Sequence, residues 1–185
     1  METKNLATRY GLPALEWATI RRDLDAGAIE ASGGTRPNTC WLTTVGDDGA
    51  PHTNGIGAVW HDGAFWFVTG RITRKGRNLA RDSRCSLSVS VADFDLVVEG
   101  MAETVEEPAT VAVLAERWRD DGWPCEVDDS GTALTAPYSA PSAGGPPWHV
   151  YRIVARAATV VSATEPGGAT TWRFDGSAKP KVLQR

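Results

Sequence analysis

The sequence predicts a mainly β fold, an antiparallel barrel with added helices. Six or so short segments rich in β-forming residues are joined by tight turns, whereas only two or three segments have helical periodicity. The glycine-rich motifs of the common nucleotide-binding α/β folds, GxGxxG and GxxxxGK[ST], are missing from the sequence. The 185 residues, 42% of them hydrophobic, suffice for one well-buried core and predict a single domain over 1–185.

The first half of the chain begins with a predicted helix at 13–26, within an N-terminal helical region at 1–30. Four apolar side chains recur there at mostly helical intervals: Leu15, Trp17, Ile20 and Leu24. A breaker-rich connection at 31–37 then leads to three strands, predicted at 39–45, 52–60 and 64–69. The sequence Gly-Asp-Asp-Gly at 46–49 predicts a hairpin turn after the first strand. The third strand has no polar face, so we expect both of its sides to be covered.

The second half begins with a short helix predicted at about 73–81, with Thr73 as its N-cap. The remaining predicted elements are strands at 85–91 and 96–105, a helix at 109–119 after Pro108, and strands at 148–161 and 169–174. Residues 120–147 show little regular pattern. A loop of that length in a compact domain is usually a functional lid or disordered, so a lid is one prediction for this segment.

Composition excludes several functional classes. A net charge of −4 argues against nucleic-acid binding, which needs a broad basic surface. No apolar run reaches the roughly 18 residues of a membrane helix, and the first residues do not resemble a secretion signal, so we expect a cytoplasmic protein with no membrane partner. Cys40, Cys85 and Cys125 are widely spaced, which predicts neither a disulfide framework nor a metal site.

One segment is strongly cationic. Residues 71–84 hold six of the nineteen Lys and Arg residues, close to the polar side chains of Thr73 and Asn78. A cluster of this kind at a strand-to-helix junction predicts an anion site, most simply for phosphate. We expect its ligands to be Arg71, Thr73, Arg74, Lys75 and Asn78. The alternative is that Arg74, Arg77, Arg81 and Arg84 form a solvated helix face.

A second motif, Asn54-Gly55-Ile56-Gly57, places two glycines within a predicted strand. Glycine weakens a strand unless the backbone bends there or another group must approach it closely. The motif therefore predicts either a barrel bend or the close approach of a flat ring.

The order of these features resembles a known family. The segments that carry the resemblance are the hairpin at 46–49, the runs at 50–60 and 65–84 with Thr-Arg-Lys-Gly-Arg-Asn-Leu, the strand Val97–Ala102, and Trp172-Arg173-Phe174. Together they look like the pyridoxamine-phosphate-oxidase-like split β-barrel superfamily, and more narrowly its flavin and deazaflavin (F-420)-dependent oxidoreductases. The resemblance spans roughly residues 10–174, and residues 120–147 depart from it.

The resemblance implies a split antiparallel β-barrel, FMN-binding-like, in a homodimer whose cofactor lies between two chains. The cationic segment would hold the cofactor's phosphate, and Asn54, Ile56 and Gly57 would contact its ring. Trp172 and Arg173 would reach the partner chain's cofactor, the alternative being edge-strand packing by the Trp and a surface position for the Arg.

The implied function is F-420-dependent hydride transfer to an activated double bond of a small apolar or aromatic molecule. F-420 is favoured because its phosphodiester and polyglutamate tail carry more negative charge than FMN. The alternatives are an FMN-dependent oxidase or reductase resembling pyridoxamine 5'-phosphate oxidase, and a non-catalytic binder of flavin, deazaflavin or haem. Trp60, Trp123 and Tyr138 are the predicted substrate-facing aromatics. His52, Tyr138 and His149 are the available proton donors, and none is assigned as catalytic.

Overall fold

The structure is a computed structural model that describes residues 1–29 and 39–175. The eleven strands of this part are β1 (Glu2–Asn5), β2 (Cys40–Val45), β3 (Pro51–Ile56), β4 (Ala58–His61), β5 (Ala64–Thr69), β6 (Arg84–Ser90), β7 (Phe94–Val105), β8 (Glu126–Val127), β9 (Ala133–Thr135), β10 (Trp148–Ser162) and β11 (Ala169–Arg173). The α-helices are α1 (Trp17–Asp25), α2 (Arg74–Arg81) and α3 (Pro108–Asp120), and a 3-10 turn spans Thr8–Tyr10. The mainly β fold class is confirmed.

All strand pairs are antiparallel, and they close into a barrel. The neighbours run β3, β2, β6, β7, β10, β5 and β4. β3 and β4 are the two halves of one strand that breaks at Gly57. The first half pairs with β2 and the second half with β5, so the bend closes the barrel. The longest strand, β10, hydrogen-bonds to β5, β7, β9 and β11.

The hydrophobic core has two parts because β5 is covered on both faces, as the sequence predicts. Phe65 and Phe67 point into the barrel with the inward residues of the other strands. Trp66 and Val68 point outward, where α3 covers them with Leu114 and other apolar side chains. All six residues of β5 are buried. The outer face of β5 and β10 therefore forms a second core layer against α3.

Four predicted boundaries differ from the structure. The predicted strand 52–60 is two strands, because Gly57 bends it. β1 lacks a sequence signal and forms by pairing with β11. The first helix begins only at Trp17, because the Leu15 N–H donates to Thr170 Oγ1 at 2.8 Å and ties the preceding residues to β11. Residues 120–147 contain β8 and β9, which extend the sheet beside β10.

The predicted connection at 31–37 falls outside the described residues. In the part of the chain that the structure describes, no helix has the length and apolar character to cross a membrane. The same residues contain no group of three His, Cys, Asp or Glu side chains arranged to hold a metal ion. Cys40, Cys85 and Cys125 are buried, and none of them is in a disulfide among the described residues.

Candidate functional site

The turn between β5 and α2 positions the cationic segment. Thr73 is the N-cap that the sequence predicts: its Oγ1 accepts a hydrogen bond from the Gly76 N–H at 3.0 Å. The same hydroxyl donates to the Gly70 carbonyl at 2.9 Å and lies 2.8 Å from Thr69 Oγ1. Glycine is required at position 76, where a Cβ would lie 2.4 Å from the Gly70 carbonyl oxygen. Thr73 and Gly76 therefore fix the start of α2 against the end of β5.

A cationic cavity of about 480 Å³ opens beside the start of α2. Its walls come from three parts of the chain: β3, the start of α2, and the turn 140–144. The lining side chains with polar or charged groups are His52, Asn54, Thr73, Arg74, Lys75 and Ser142. The described lining residues include no Asp or Glu, so the cavity carries uncompensated positive charge. Such a cavity suits an anion.

Lys75 is the most constrained cation of the site. Its residue is only 3% exposed, and its ammonium donates to the Ser142 carbonyl oxygen. No carboxylate of the described residues forms an ion pair with it. Burial lowers the pKa of Lys75 to about 8. A phosphate in the cavity would supply the missing countercharge.

Two residues that line the cavity each have a buried polar atom without a hydrogen-bond partner among the described residues. These atoms are His52 Nδ1 and Asn54 Oδ1. The pKa of His52 is lowered by burial, and further by the charges of Arg74 and Lys75. A buried polar atom without a partner costs free energy, so the empty site is less stable than one in which these atoms are paired.

An apolar cavity of about 670 Å³ adjoins the cationic one. The two share Gly55, Pro141 and Ser142 as lining residues. Ile56, Gly57, Trp118 and Trp123 line the apolar cavity, whose other lining residues are mostly apolar but include Thr39, Asp121 and Ser142. A Cβ at Gly57 would meet no atom within 4 Å, so open space lies beside this bend. The predicted barrel bend is confirmed, and the close approach of a ring stays a prediction.

The turn at 140–144 forms the wall between the cavities. Its position was not predicted from the sequence. The turn is held by a bridge between Ala140 and Gly144 and by the Gly70 N–H, which donates to the Ala143 carbonyl at 2.9 Å. The Trp148 indole N–H donates to the Gly144 carbonyl at 2.9 Å. The available sequence signal was the glycine and proline content of 141–147, which predicts a tight turn but gives no position for it.

The other four cations of the segment have protein partners. Arg71 forms an exposed ion pair with Glu106 at 2.8 Å, and Arg84 binds Asp82 at 2.6 Å. Arg77 and Arg81 donate to main-chain carbonyls, those of Ile72 and Val45. Of the six cations, Arg74 and Lys75 are thus the two that line the cavity.

Asn78 and Trp172, both predicted to contact the cofactor, have packing roles in the structure. Asn78 is 4% exposed and its Nδ2 donates to Thr44 Oγ1 at 3.0 Å, which ties α2 to β2. Trp172 is 1% exposed, and its ring lies 5.3 Å from that of Trp17 in the barrel core. Neither lines either cavity. For Trp172 this position fits the alternative of packing within its own chain, and contact with a partner's cofactor stays a prediction. Arg173 is exposed on the surface, which both of its assignments allow.

The three aromatic residues predicted to face the substrate also lie in different parts of the structure. Trp123 lines the apolar cavity, with its ring 5.0 Å from that of Trp148. Trp60 is buried in the core cluster inside the barrel, where its indole N–H donates to Asp25 Oδ1 at 2.6 Å. Tyr138 donates to the Pro124 carbonyl at 2.8 Å and lines neither cavity.

Of the three possible proton donors, only His52 lies at a cavity. His149 lies on β10, where its backbone pairs with Thr69 and Ala133. Burial lowers the pKa of His149, the charge of Arg71 lowers it further, and Glu106 and Asp128 oppose the shift.

The sequence of residues 34–127, about half of the chain, matches the profile of the family described as pyridoxamine 5'-phosphate oxidase. This chain belongs to the pyridoxamine 5'-phosphate oxidase family. The match includes β2 to α3, and with them β3 and α2 of the cationic cavity. The turn at 140–144 lies beyond the matched residues, so this wall of the site is a feature of the chain outside the family profile.

Solved structures with the same split-barrel fold include PhzG from Burkholderia lata in complex with tetrahydrophenazine-1-carboxylic acid. It is 20% identical, covers 91% of this chain and 92% of its own, and gives a TM-score of 0.58. A putative 5-nitroimidazole antibiotic resistance protein from Bacteroides thetaiotaomicron is 11% identical, with coverage of 94% and 93% and a TM-score of 0.55. An F-420 reductase is 20% identical over 71% of this chain and 92% of its own, with a TM-score of 0.47. No curated protein matches the chain in sequence.

Proposed function

We propose that this chain is an oxidoreductase that binds F-420 across the two cavities and reduces an activated double bond in a small apolar or aromatic molecule. The observation that carries the proposal is the junction of a carboxylate-free cationic cavity with a larger apolar one. A phosphorylated redox ring has these same two parts, a charged end and a flat apolar end. Membership of the pyridoxamine 5'-phosphate oxidase family supports the oxidoreductase class.

The cationic cavity fits the phosphate. Arg74 can offer several donors from a planar guanidinium, and Lys75 a single buried charge that has no carboxylate partner. The Thr73 hydroxyl and the first backbone N–H groups of α2 lie at the positive end of the helix dipole. The side chains of His52 and Asn54 line the same cavity.

The surface of α2 favours F-420 over FMN. Arg74, Arg77 and Arg81 follow one another at helical spacing, and all three are exposed. Arg77 and Arg81 bind neutral carbonyls and form no ion pair with a described carboxylate, although the charge of Arg81 also acts on Asp82. This arginine stripe leads away from the cavity along the helix, where a long polyanionic tail would meet it. FMN has no such tail.

The apolar cavity supports a ring and an apolar substrate beside it. Gly55 and Gly57 leave the main chain without side-chain bulk in the lining, and Ile56, Trp118 and Trp123 supply apolar and aromatic surface. The coenzyme, when bound, supplies the hydride. The protein's task is then to orient the substrate, exclude water and place a proton source, for which His52 is the candidate at the site.

We further propose that two chains pack face to face and cover the site. The Trp41 side chain is 51% exposed on the outer face of β2, and its cross-strand neighbour is Gly55, which lines both cavities. A large exposed apolar side chain at this place favours a partner surface. A second chain that covers Trp41 would also cover the mouths of the cavities.

Fluorescence titration of the purified protein with F-420 and with FMN tests the proposal. We expect F-420 to bind more tightly than FMN, with an affinity that falls more steeply as salt is raised. Lys75→Met should weaken both at least tenfold, about 1.4 kcal/mol. Arg84→Gln is the matched control, because Arg84 is already bound by Asp82. The double variant Arg77→Gln/Arg81→Gln should weaken F-420 alone.

The second candidate is an FMN-dependent oxidase or reductase. The observation in its favour is that only Arg74 and Lys75 among the cations line the cavity, which is enough for a single phosphate. Protein that purifies yellow with bound FMN, and that binds F-420 more weakly, would replace the first candidate by the second. Tight binding of F-420 without oxidation of its reduced form, over a panel of quinones and enones, would leave a non-catalytic carrier.

A further inference from the structure

We propose that His52 is a third ligand of the anion in the cationic cavity, and that it takes up a proton when the anion binds. The inference rests on the proposed function only in placing a phosphate or a similar anion in that cavity. It adds a consequence that neither the family nor the coenzyme class supplies: the affinity of the site depends on pH through one residue of β3.

The position of His52 carries the inference. The side chain lines the cavity together with Arg74 and Lys75, which face it from α2. Its Nδ1 is buried and has no hydrogen-bond partner among the described residues. An oxyanion in the cavity would accept a hydrogen bond from the protonated imidazole, and its negative charge would stabilise the imidazolium.

The charged surroundings of His52 set its protonation. Arg74 and Lys75 on α2 are the charged groups that act on it, and both disfavour the imidazolium. The neighbouring residue on β2, Thr44, contributes a hydroxyl that donates to the His52 carbonyl at 3.4 Å. The described cavity residues from the turn 140–144 contain no titratable group. An anion that neutralises Arg74 and Lys75 therefore removes the two charges that oppose protonation.

The sign of the pH dependence follows from linkage. Burial and the two cations lower the pKa of His52 in the empty protein, and a bound anion raises it. The bound state therefore holds more protons than the free state between these two pKa values. Affinity rises as the pH falls through that window, by at most about tenfold per pH unit for one proton. Below the lower pKa the affinity levels off.

Sulfate is the probe, because its own charge is constant over the pH range in which histidine titrates. Two-dimensional NMR of the full chain would follow the imidazole signals of His52, His61 and His149, with His52→Asn to assign the first. Saturating sulfate should raise the titration midpoint of His52 by at least about half a pH unit, leaving the other two in place. Sulfate affinity should rise toward low pH in the wild type and be flat in His52→Asn.

His149→Asn is the matched control, since burial also lowers the pKa of His149 but its side chain lines neither cavity. This variant should keep the wild-type pH dependence. An unmoved His52 midpoint with sulfate bound, a His52→Asn variant with the wild-type profile, or no sulfate binding at all would each overturn the inference. Failure of the proposed function looks different: sulfate still binds with the predicted pH profile, while neither F-420 nor FMN binds.

Discussion

At the scale of single residues, the most consequential one is Lys75, a buried cation whose one hydrogen-bond partner among the described residues is a carbonyl oxygen. Proteins rarely bury an ammonium without a carboxylate, because desolvation costs more than one neutral hydrogen bond returns. The lowered pKa of Lys75, about 8, expresses that cost. An anion that binds beside Lys75 would offset this desolvation cost. The cost of the empty site therefore contributes to the affinity for the anion.

The free-energy cost of burying the Lys75 ammonium can be measured through the pH dependence of the protein's stability. The folded-state pKa of about 8 lies below the ordinary 10.5, so the unfolded chain binds more protons between these values. Stability therefore rises with pH across this window, by about 3 kcal/mol in total from Lys75 alone. Denaturant unfolding at a series of pH values should show this rise in the wild type relative to Lys75→Met.

The comparison with Lys75→Met is needed because other groups oppose the rise. Burial raises the pKa of Cys85 to about 12 and that of Cys125 above its usual value, so both thiols destabilise the fold as the unfolded chain ionises them. They are common to both proteins and cancel in the difference. A difference that does not change with pH would show that Lys75 is not a buried, protonated amine.

Residue types predicted an anion site, and the structure shows which of its predicted members line the cationic cavity. Charge density identified the segment, and the strand before it placed Thr73, Arg74 and Lys75 at a helix start. The sequence could not separate Lys75 from Arg77, because burial depends on which face of the helix packs against the barrel. His52 was named only as a proton donor, since its distance from Arg74 arises from strand pairing across the barrel.

At the scale of elements, α2 depends on how its first turn is joined to β5. The Thr73 hydroxyl serves as N-cap for Gly76 and also bonds to Thr69 and Gly70. An eight-residue helix is too short to be stable alone, so this junction and the packing of Leu79 hold it in place. The same junction places Arg74 and Lys75 at the cavity.

Replacement of Thr73 tests that junction. Thr73→Ala should lower the free energy of unfolding by about 1–2 kcal/mol, because it removes the cap and the hydrogen bonds to β5. Thr73→Ser keeps the hydroxyl and should retain most of the wild-type stability. Urea unfolding followed by circular dichroism measures both variants. Equal stabilities for the Ala and Ser variants would mean that the hydroxyl does not hold α2.

Elements with a strong local pattern were predicted well, and those formed by distant partners were not. α2 and β5 stand close to their expected bounds because capping and hydrophobicity are local signals. β1 and β9 form through pairing with β11 and β10, which no local pattern announces. The turn at 140–144 depends on distant contacts with Gly70 and Trp148 for its place beside the cavities.

At the scale of the whole molecule, the barrel order was inferable because short strands with tight turns pair with their neighbours. The bend at Gly57 was foreseen as one of two alternatives, and it is what lets a single strand pair with both β2 and β5. The second core layer under α3 followed from the lack of a polar face on β5. The surface that would contact a second chain depends on the shape of the folded molecule. No local sequence pattern predicts that shape.

The proposed dimer makes Trp41 a test of assembly. Sedimentation velocity should show a dimer for the wild type, and Trp41→Glu should raise its dissociation constant at least tenfold and weaken F-420 binding with it. Val113→Glu, at a residue 39% exposed on α3, is the matched control for an added surface charge. A wild-type monomer, or a Trp41→Glu dimer of unchanged affinity, would remove Trp41 from the interface.

The position of β10 at the junction of four strands bears on how the chain reaches its fold during synthesis. Thr69 on β5 pairs with His149 on β10, so this pairing can form only after β10 has been synthesised. β1 likewise cannot pair until β11 has been synthesised. During synthesis, most of the barrel strands therefore form an open sheet. The backbone N–H and C=O groups at its edges have no partners until β10 leaves the ribosome. Such long-range closure is slow and leaves aggregation-prone edges in the interval, so this protein should benefit from chaperones during translation.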